Sequence, residues 1–178
     1  NALPQGGIFS GNGVNVNASM FIPSQAGPGL HTIYYSYTNS LGCVNTDSFQ
    51  INVHALPTTI FNYTGGALCP YQTAFTLSAT PLGGTFTGNG ISATNLFTPA
   101  NASIGTNIIT YTFTDINGCT NSDTSAITIL PIPVINLAGN PSDLCVNANT
   151  ITLQASPAGG TWSGFVLNGN QFNPSQAG

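Results

Sequence analysis

The sequence predicts an all-β protein: a tandem array of β-sandwich repeats of about 76 residues. Three observations lead there. The stretch from Gly105 to Cys119 has a near copy 76 residues earlier, from Gly29 to Cys43. Within it the large side chains of Ile109, Tyr111 and Phe113 alternate with Ile108, Thr110, Thr112 and Thr114, a period of two that sets them on one face of a strand. The rest of the chain is a series of short β-branched and aromatic runs separated by Gly, Asn and Pro clusters, as in sandwiches and barrels.

Composition narrows the class of partner. The 178 residues include no Lys or Arg, four acidic residues and two His, for a formal net charge of −4. With no cation to hold phosphate, the chain is a poor match for nucleic acid or for an anionic membrane surface. The 41% hydrophobic content, set among Thr, Asn, Ser and Gln, separates it from disordered polar tracts. Solubility then rests on neutral hydrogen-bonding groups. No stretch resembles a signal peptide or a membrane span, and because the chain opens inside a repeat an export signal is expected to lie outside it. The most apolar run, residues 127–138, is broken by Pro131 and Pro133 and reads as a strand, a break and the next strand.

The repeat can be followed along the chain. Gly7, Gly84 and Gly160 fall 77 and then 76 residues apart within related Pro-x-Gly-Gly segments followed by Phe9, Phe86 and Trp162. Phe21, Phe97 and Phe172 open three Phe-x-Pro triplets, and Pro23 to Gly27 recurs letter for letter as Pro174 to Gly178. This divides the chain into the later part of repeat one (residues 1–56), a complete repeat two (57–132) and the earlier part of repeat three (133–178). In repeat two, strands are expected near residues 58–63, 73–79, 84–87, 95–98, 107–114 and 119–130. Asp115 to Gly118 reads as a hairpin turn, in which Asn-Gly supplies positive φ. Pro57, Pro131 and Pro133 mark short, stiff junctions, which makes a rod the expected arrangement of the repeats.

The cysteines stand at 43, 69, 119 and 145, two positions per repeat. Four cysteines allow three connectivities. If Cys69 precedes the second strand, four crossings return the chain to the same end of the sandwich by Cys119. Strand parity therefore predicts a Cys69–Cys119 disulfide, with Cys43 and Cys145 paired to cysteines outside this chain. Such a bridge would close a loop of about 50 residues, contribute about 4 kcal/mol and imply an oxidising compartment. The alternatives are buried free thiols or a metal site. A metal is disfavoured because the cysteines are not in close pairs, and His31 and His54 align with Asn107 and Leu130.

The segment from Pro81 to Ile91, the Phe97-Thr98-Pro99 triplet and the stretch from Gly105 to Cys119 together resemble the Ig-like (PKD-like) tandem repeats of long Bacteroidota surface proteins. The resemblance spans the whole chain. It implies immunoglobulin-like sandwiches, export, commonly by type IX secretion, and an extracellular place in an adhesin, a gliding-associated fibre or a surface filament. Partners would be copies of the chain or neighbouring repeats, and surface glycans or other adhesins. In repeat one Asn39 to Gly42 replaces Asp115 to Gly118, so the turn carboxylate is not a constant feature.

Candidate chemistry is sparse. Asp115, Asn117 and Gly118 make half of a calcium loop, but calcium takes six or more oxygens and usually several carboxylates. No acid/base pair recurs, and no catalytic residue or cofactor is predicted. Trp162, Phe86 and Phe9 suit a sandwich core better than a sugar-stacking platform. Tyr35 and Tyr37 share the core face of Tyr111 and Phe113. Tyr34 points the other way and is the candidate exposed contact. Asp47-Ser48 and Asp123-Thr124 lie 76 residues apart and resemble the start of the O-glycosylation signal of the same phylum, which makes Ser48 and Thr124 candidate modification sites. The Asn-x-Ser/Thr triplets at Asn17, Asn62 and Asn101 do not align between repeats. Without Lys, no Lys-to-Asn isopeptide cross-link can form within the chain.

Overall fold

The structure, a computed structural model, describes residues 2–92, 95–137, 139–164 and 167–177. Gly178, which ends the recurring Pro-Ser-Gln-Ala-Gly segment, lies outside them. By contacts the chain divides into two units, Asn1–Ile129 and Leu130–Gly178.

The first unit holds repeats one and two. Repeat one comprises β1 (Ile8–Ser10), β2 (Val14–Asn15), β3 (Met20–Phe21), a single helical turn α1 (Pro23–Ala26), and the long strands β4 (Gly29–Thr38) and β5 (Val44–Val53). Repeat two comprises β6 (Phe75–Thr76), β7 (Thr85–Thr87), β8 (Leu96–Phe97), a 3-10 turn at Pro99–Asn101, β9 (Gly105–Thr114) and β10 (Thr120–Ile129). The second unit carries β11 (Ile151–Thr152), β12 (Leu167–Asn168) and β13 (Gln171–Phe172), paired in the order β11-β13-β12. The protein is all-β, as its sequence predicts.

The long hairpins dominate. β4 and β5 pair over ten positions, from Gly29 opposite Val53 to Thr38 opposite Val44, and β9 and β10 repeat that register from Gly105 opposite Ile129 to Thr114 opposite Thr120. β1 adds to β4 and β7 adds to β9, giving a three-stranded antiparallel sheet in each repeat. In repeat two a second layer, β6 with β8 and the bridge Ile60–Thr80, covers that sheet. Phe61, Leu77, Ala79, Phe86, Phe97, Ile109, Tyr111, Ile127 and Ile129 fill the space between. The Phe61 and Phe86 rings meet edge to face at 5.1 Å, and Phe75 lies 5.6 Å from Phe97. Burial of these side chains is worth about 1.5–3 kcal/mol each.

The alternation reading of β9 holds. Asn107, Ile109 and Tyr111 are buried, while Thr106 and Ile108 are exposed. The strands expected near residues 58–63 and 73–79 are more irregular. Residues 57–68 run extended beside β10 but are held mainly through side chains: Asn121 Nδ2 donates to the Pro57 carbonyl (2.9 Å), Phe61 N–H to Asp123 Oδ2 (2.8 Å) and Tyr63 N–H to Ser125 Oγ (3.0 Å). At its far end the Leu68 N–H reaches the Thr128 carbonyl at 2.9 Å, and Leu68 bridges Ile129 in parallel. A short polar side chain on β10 thus replaces a ladder bond at three positions.

Candidate functional site

The hairpin turn explains why its carboxylate is dispensable. Asp115 Oδ1 accepts from the Asn117 and Cys119 N–H groups, both at 2.9 Å, and Gly118 takes φ 82°. Asn39 Oδ1 accepts from Leu41 (3.0 Å) and Cys43 (2.9 Å) in the same way. The turn needs an oxygen at this place, charged or neutral. Where the oxygen is a carboxylate its pKa is lowered, first by the Cys119 N–H and further by Asn117 and the nearby His54. Asp123 is lowered likewise by the Phe61 and Thr124 N–H groups.

Each repeat also locks its core tyrosine to the Gly-Gly segment. The Tyr111 hydroxyl accepts from Gly84 N–H at 2.8 Å and donates to the Pro81 carbonyl, while Tyr35 does the same with Gly7 (2.8 Å) and Pro4. The approach is so close that a Cβ on Gly84 would lie 2.4 Å from the Thr112 carbonyl oxygen. Sequence reasoning placed both tyrosines on the core face but not their hydroxyl partners. The recurring Pro-x-Gly-Gly, in register with a recurring Tyr, is the signal that points to them.

Asn107 is a second polar anchor. Its Nδ2 donates to the carbonyls of Ser103 (2.8 Å) and Gly105 (3.1 Å), and its Oδ1 accepts from Ser103 N–H (3.1 Å). In repeat one His31 fills the place, with Nε2 2.8 Å from the carbonyl of Gly27, the counterpart of Ser103. His31 is thereby a scaffold residue. No group of three or more His, Cys, Asp or Glu side chains suited to a metal ion occurs among the described residues.

The exposed face of the hairpins brings together the candidate surface residues. Tyr34 is 46% exposed and sits directly opposite Ser48 across β4 and β5, with Ser10 on its other side. In repeat two the equivalent row is Thr87, Thr110 and Thr124. Ser48 and Thr124 are both exposed, each beside an Asp whose Oδ1 accepts its N–H at 2.8 Å. Phe86 lies in the core and Trp162 is half-buried.

The cysteine pairing requires correction. All four thiols are free: Cys43 and Cys145 are exposed, while Cys69 and Cys119 are half-buried. Cys69 follows Leu68 and so lies at the Ile129 end of β10, whereas Cys119 precedes its other end. At about 3.3 Å per residue the two are about 30 Å apart. A disulfide requires Cα atoms within about 7 Å. The parity argument failed because β7 and β8 run in the same sense, one antiparallel to β9 and the other to β6. Residues 88–95 therefore make a fifth, unforeseen crossing. The Cys69 side chain instead hydrogen-bonds the Tyr71 phenol and raises its pKa.

No protein-family model matches the chain, and no curated protein matches it.

Proposed function

We propose that the chain is the structural repeat region of an extracellular surface fibre, stalk or filament with an adhesive role, of the Bacteroidota kind its motifs resemble. One observation carries this reading. The features shared by repeats one and two are scaffold: the ten-position hairpin, the tyrosine lock and the turn closed by one side-chain oxygen. The exposed rows differ, Ser10, Tyr34 and Ser48 against Thr87, Thr110 and Thr124. Selection that preserves a scaffold while its outward side chains drift fits a spacer whose surface meets neighbouring repeats and copies through neutral contacts.

A second reading makes the repeats glycan- or protein-binding modules of a surface adhesin, with Tyr34 as a stacking platform beside Ser48. The half-exposed Tyr34 ring favours it. A glycan array and a pull-down with Tyr34→Ala as control decide between them. Saturable binding lost in Tyr34→Ala at unchanged thermal stability supports the module. No binding, with regular rods in electron micrographs of longer repeat arrays, supports the fibre.

A further inference from the structure

Repeat two is closed by its own opening segment, and repeat one has no such cover. In repeat two, residues 57–68 lie along the outer edge of β10 and drop Phe61 onto Phe86. In repeat one the corresponding edge is β5, whose residues 44–50 are all exposed, with Asn45 and Asp47 where Asn121 and Asp123 stand. Phe9, the counterpart of Phe86, stacks on Tyr35 at 4.8 Å but is only half-buried. Ile51 and Val53 are half-buried too, although their counterparts Ile127 and Ile129 are at most 1% exposed.

The second unit presents the complementary half. Residues 133–137 are its counterpart of residues 57–61, with Pro133 at the place of Pro57 and Leu137 at that of Phe61. Asn136 bridges Ser156 on one side, as Ile60 bridges Thr80. Ile135 and Leu137, on the face that Phe61 buries in repeat two, are 71% and 53% exposed.

We propose that the open face and edge of repeat one form a docking surface for residues 133–137 of a second copy of this chain. Asn45 would donate to the Pro133 carbonyl, Asp47 would accept from the Leu137 N–H, and the Leu137 side chain would cover Phe9. These are the contacts that Asn121, Asp123 and Phe61 make within repeat two. The occupant is a proline-led, extended apolar segment joined by β-augmentation. Pairing of β5 with another β5 is disfavoured, because it brings two Asp47 carboxylates into one small uncharged sheet. Donor and acceptor are different surfaces, so association is head to tail and continues beyond a dimer unless it closes. The proposal stands on the open face and does not depend on the fibre reading.

Sedimentation velocity of the full chain over a wide concentration range tests it, alongside Leu137→Asp and Asp47→Ala. The unsubstituted chain should pass through dimers to larger species as concentration rises. Each variant should raise the apparent dissociation constant by about tenfold or more, with unchanged melting because both side chains are exposed. Mixing the two variants is the stricter test. The acceptor face of Leu137→Asp and the donor segment of Asp47→Ala are both intact, so the mixture should form a dimer and stop there. An unsubstituted chain that stays monomeric, association that neither variant weakens, or a mixture without dimers would overturn the proposal.

Discussion

Leu68 is bridged in parallel to Ile129, and this pairing sets Cys69 a full strand length from Cys119. Non-reducing peptide mapping should therefore recover no Cys69–Cys119 peptide, and a thiol reagent should titrate all four cysteines of the unfolded chain. Cys119→Ser should cost the same stability in oxidising and reducing buffer, without the difference of about 4 kcal/mol that a native bridge would introduce. A cross-linked Cys69–Cys119 peptide from the monomer would show the strand path to be wrong.

The tyrosine lock should be measurable. Tyr111→Phe leaves the Gly84 N–H and the Pro81 carbonyl without their shared partner, a loss of about 1–3 kcal/mol in denaturant unfolding. Tyr35→Phe should cost less, since its surroundings are more open to water. Gly84→Ala, which drives a Cβ against the Thr112 carbonyl, should cost about 1–3 kcal/mol by overpacking. A Tyr111→Phe chain as stable as the parent would contradict this account.

Asn107 and His31 offer a swap. Asn107→Leu removes every hydrogen bond the side chain makes to residues 103–105 and should destabilise by about 2 kcal/mol or more. Asn107→His should recover part of that loss, because His31 already reaches the equivalent carbonyl from the same position. Equal losses in the two variants would break the equivalence.

Acid should unfold repeat two through Asp115 and Asp123. Both have folded pKa values below the usual carboxylate value, so the stability they contribute is fully present above about pH 4 and is lost as pH falls through the folded values. Melting temperature followed from about pH 6 to about pH 2 should decline below about pH 4. Asp115→Asn should flatten part of the decline while keeping the turn, as Asn39 keeps it in repeat one. A steeper decline in Asp115→Asn would sink this assignment.

Legibility in the sequence followed regularity. Alternation at Ile109, Tyr111 and Phe113 located β9 and the outward set of Tyr34, because a period of two fixes which face each side chain takes. Asn-Gly located the turn, though left-handed φ falls only on Gly118, as in a type I turn closed by a glycine bulge. What escaped was non-periodic. Residues 57–68 are held by Asn121, Asp123 and Ser125 side chains, a bonding pattern that leaves no periodic mark. The crossing at residues 88–95 has too few β-branched residues to read as a strand, and missing one crossing moved Cys119 to the wrong end. In the candidate site, parity sufficed for Tyr34, Ser48 and Thr124, whereas the tyrosine hydroxyl partners required the three-dimensional approach of Gly84.

The run of residues 57–68 alongside β10 also decides how repeat two meets a pull along the chain. The chain enters at Pro57, beside Asn121, and leaves at Ile129, beside Leu68. Tension between these points slides the two parallel segments past one another lengthwise. The bonds at Pro57, Phe61, Tyr63 and Leu68 then bear the load together instead of parting one after another, so rupture in a single-molecule stretching experiment should come as one cooperative event.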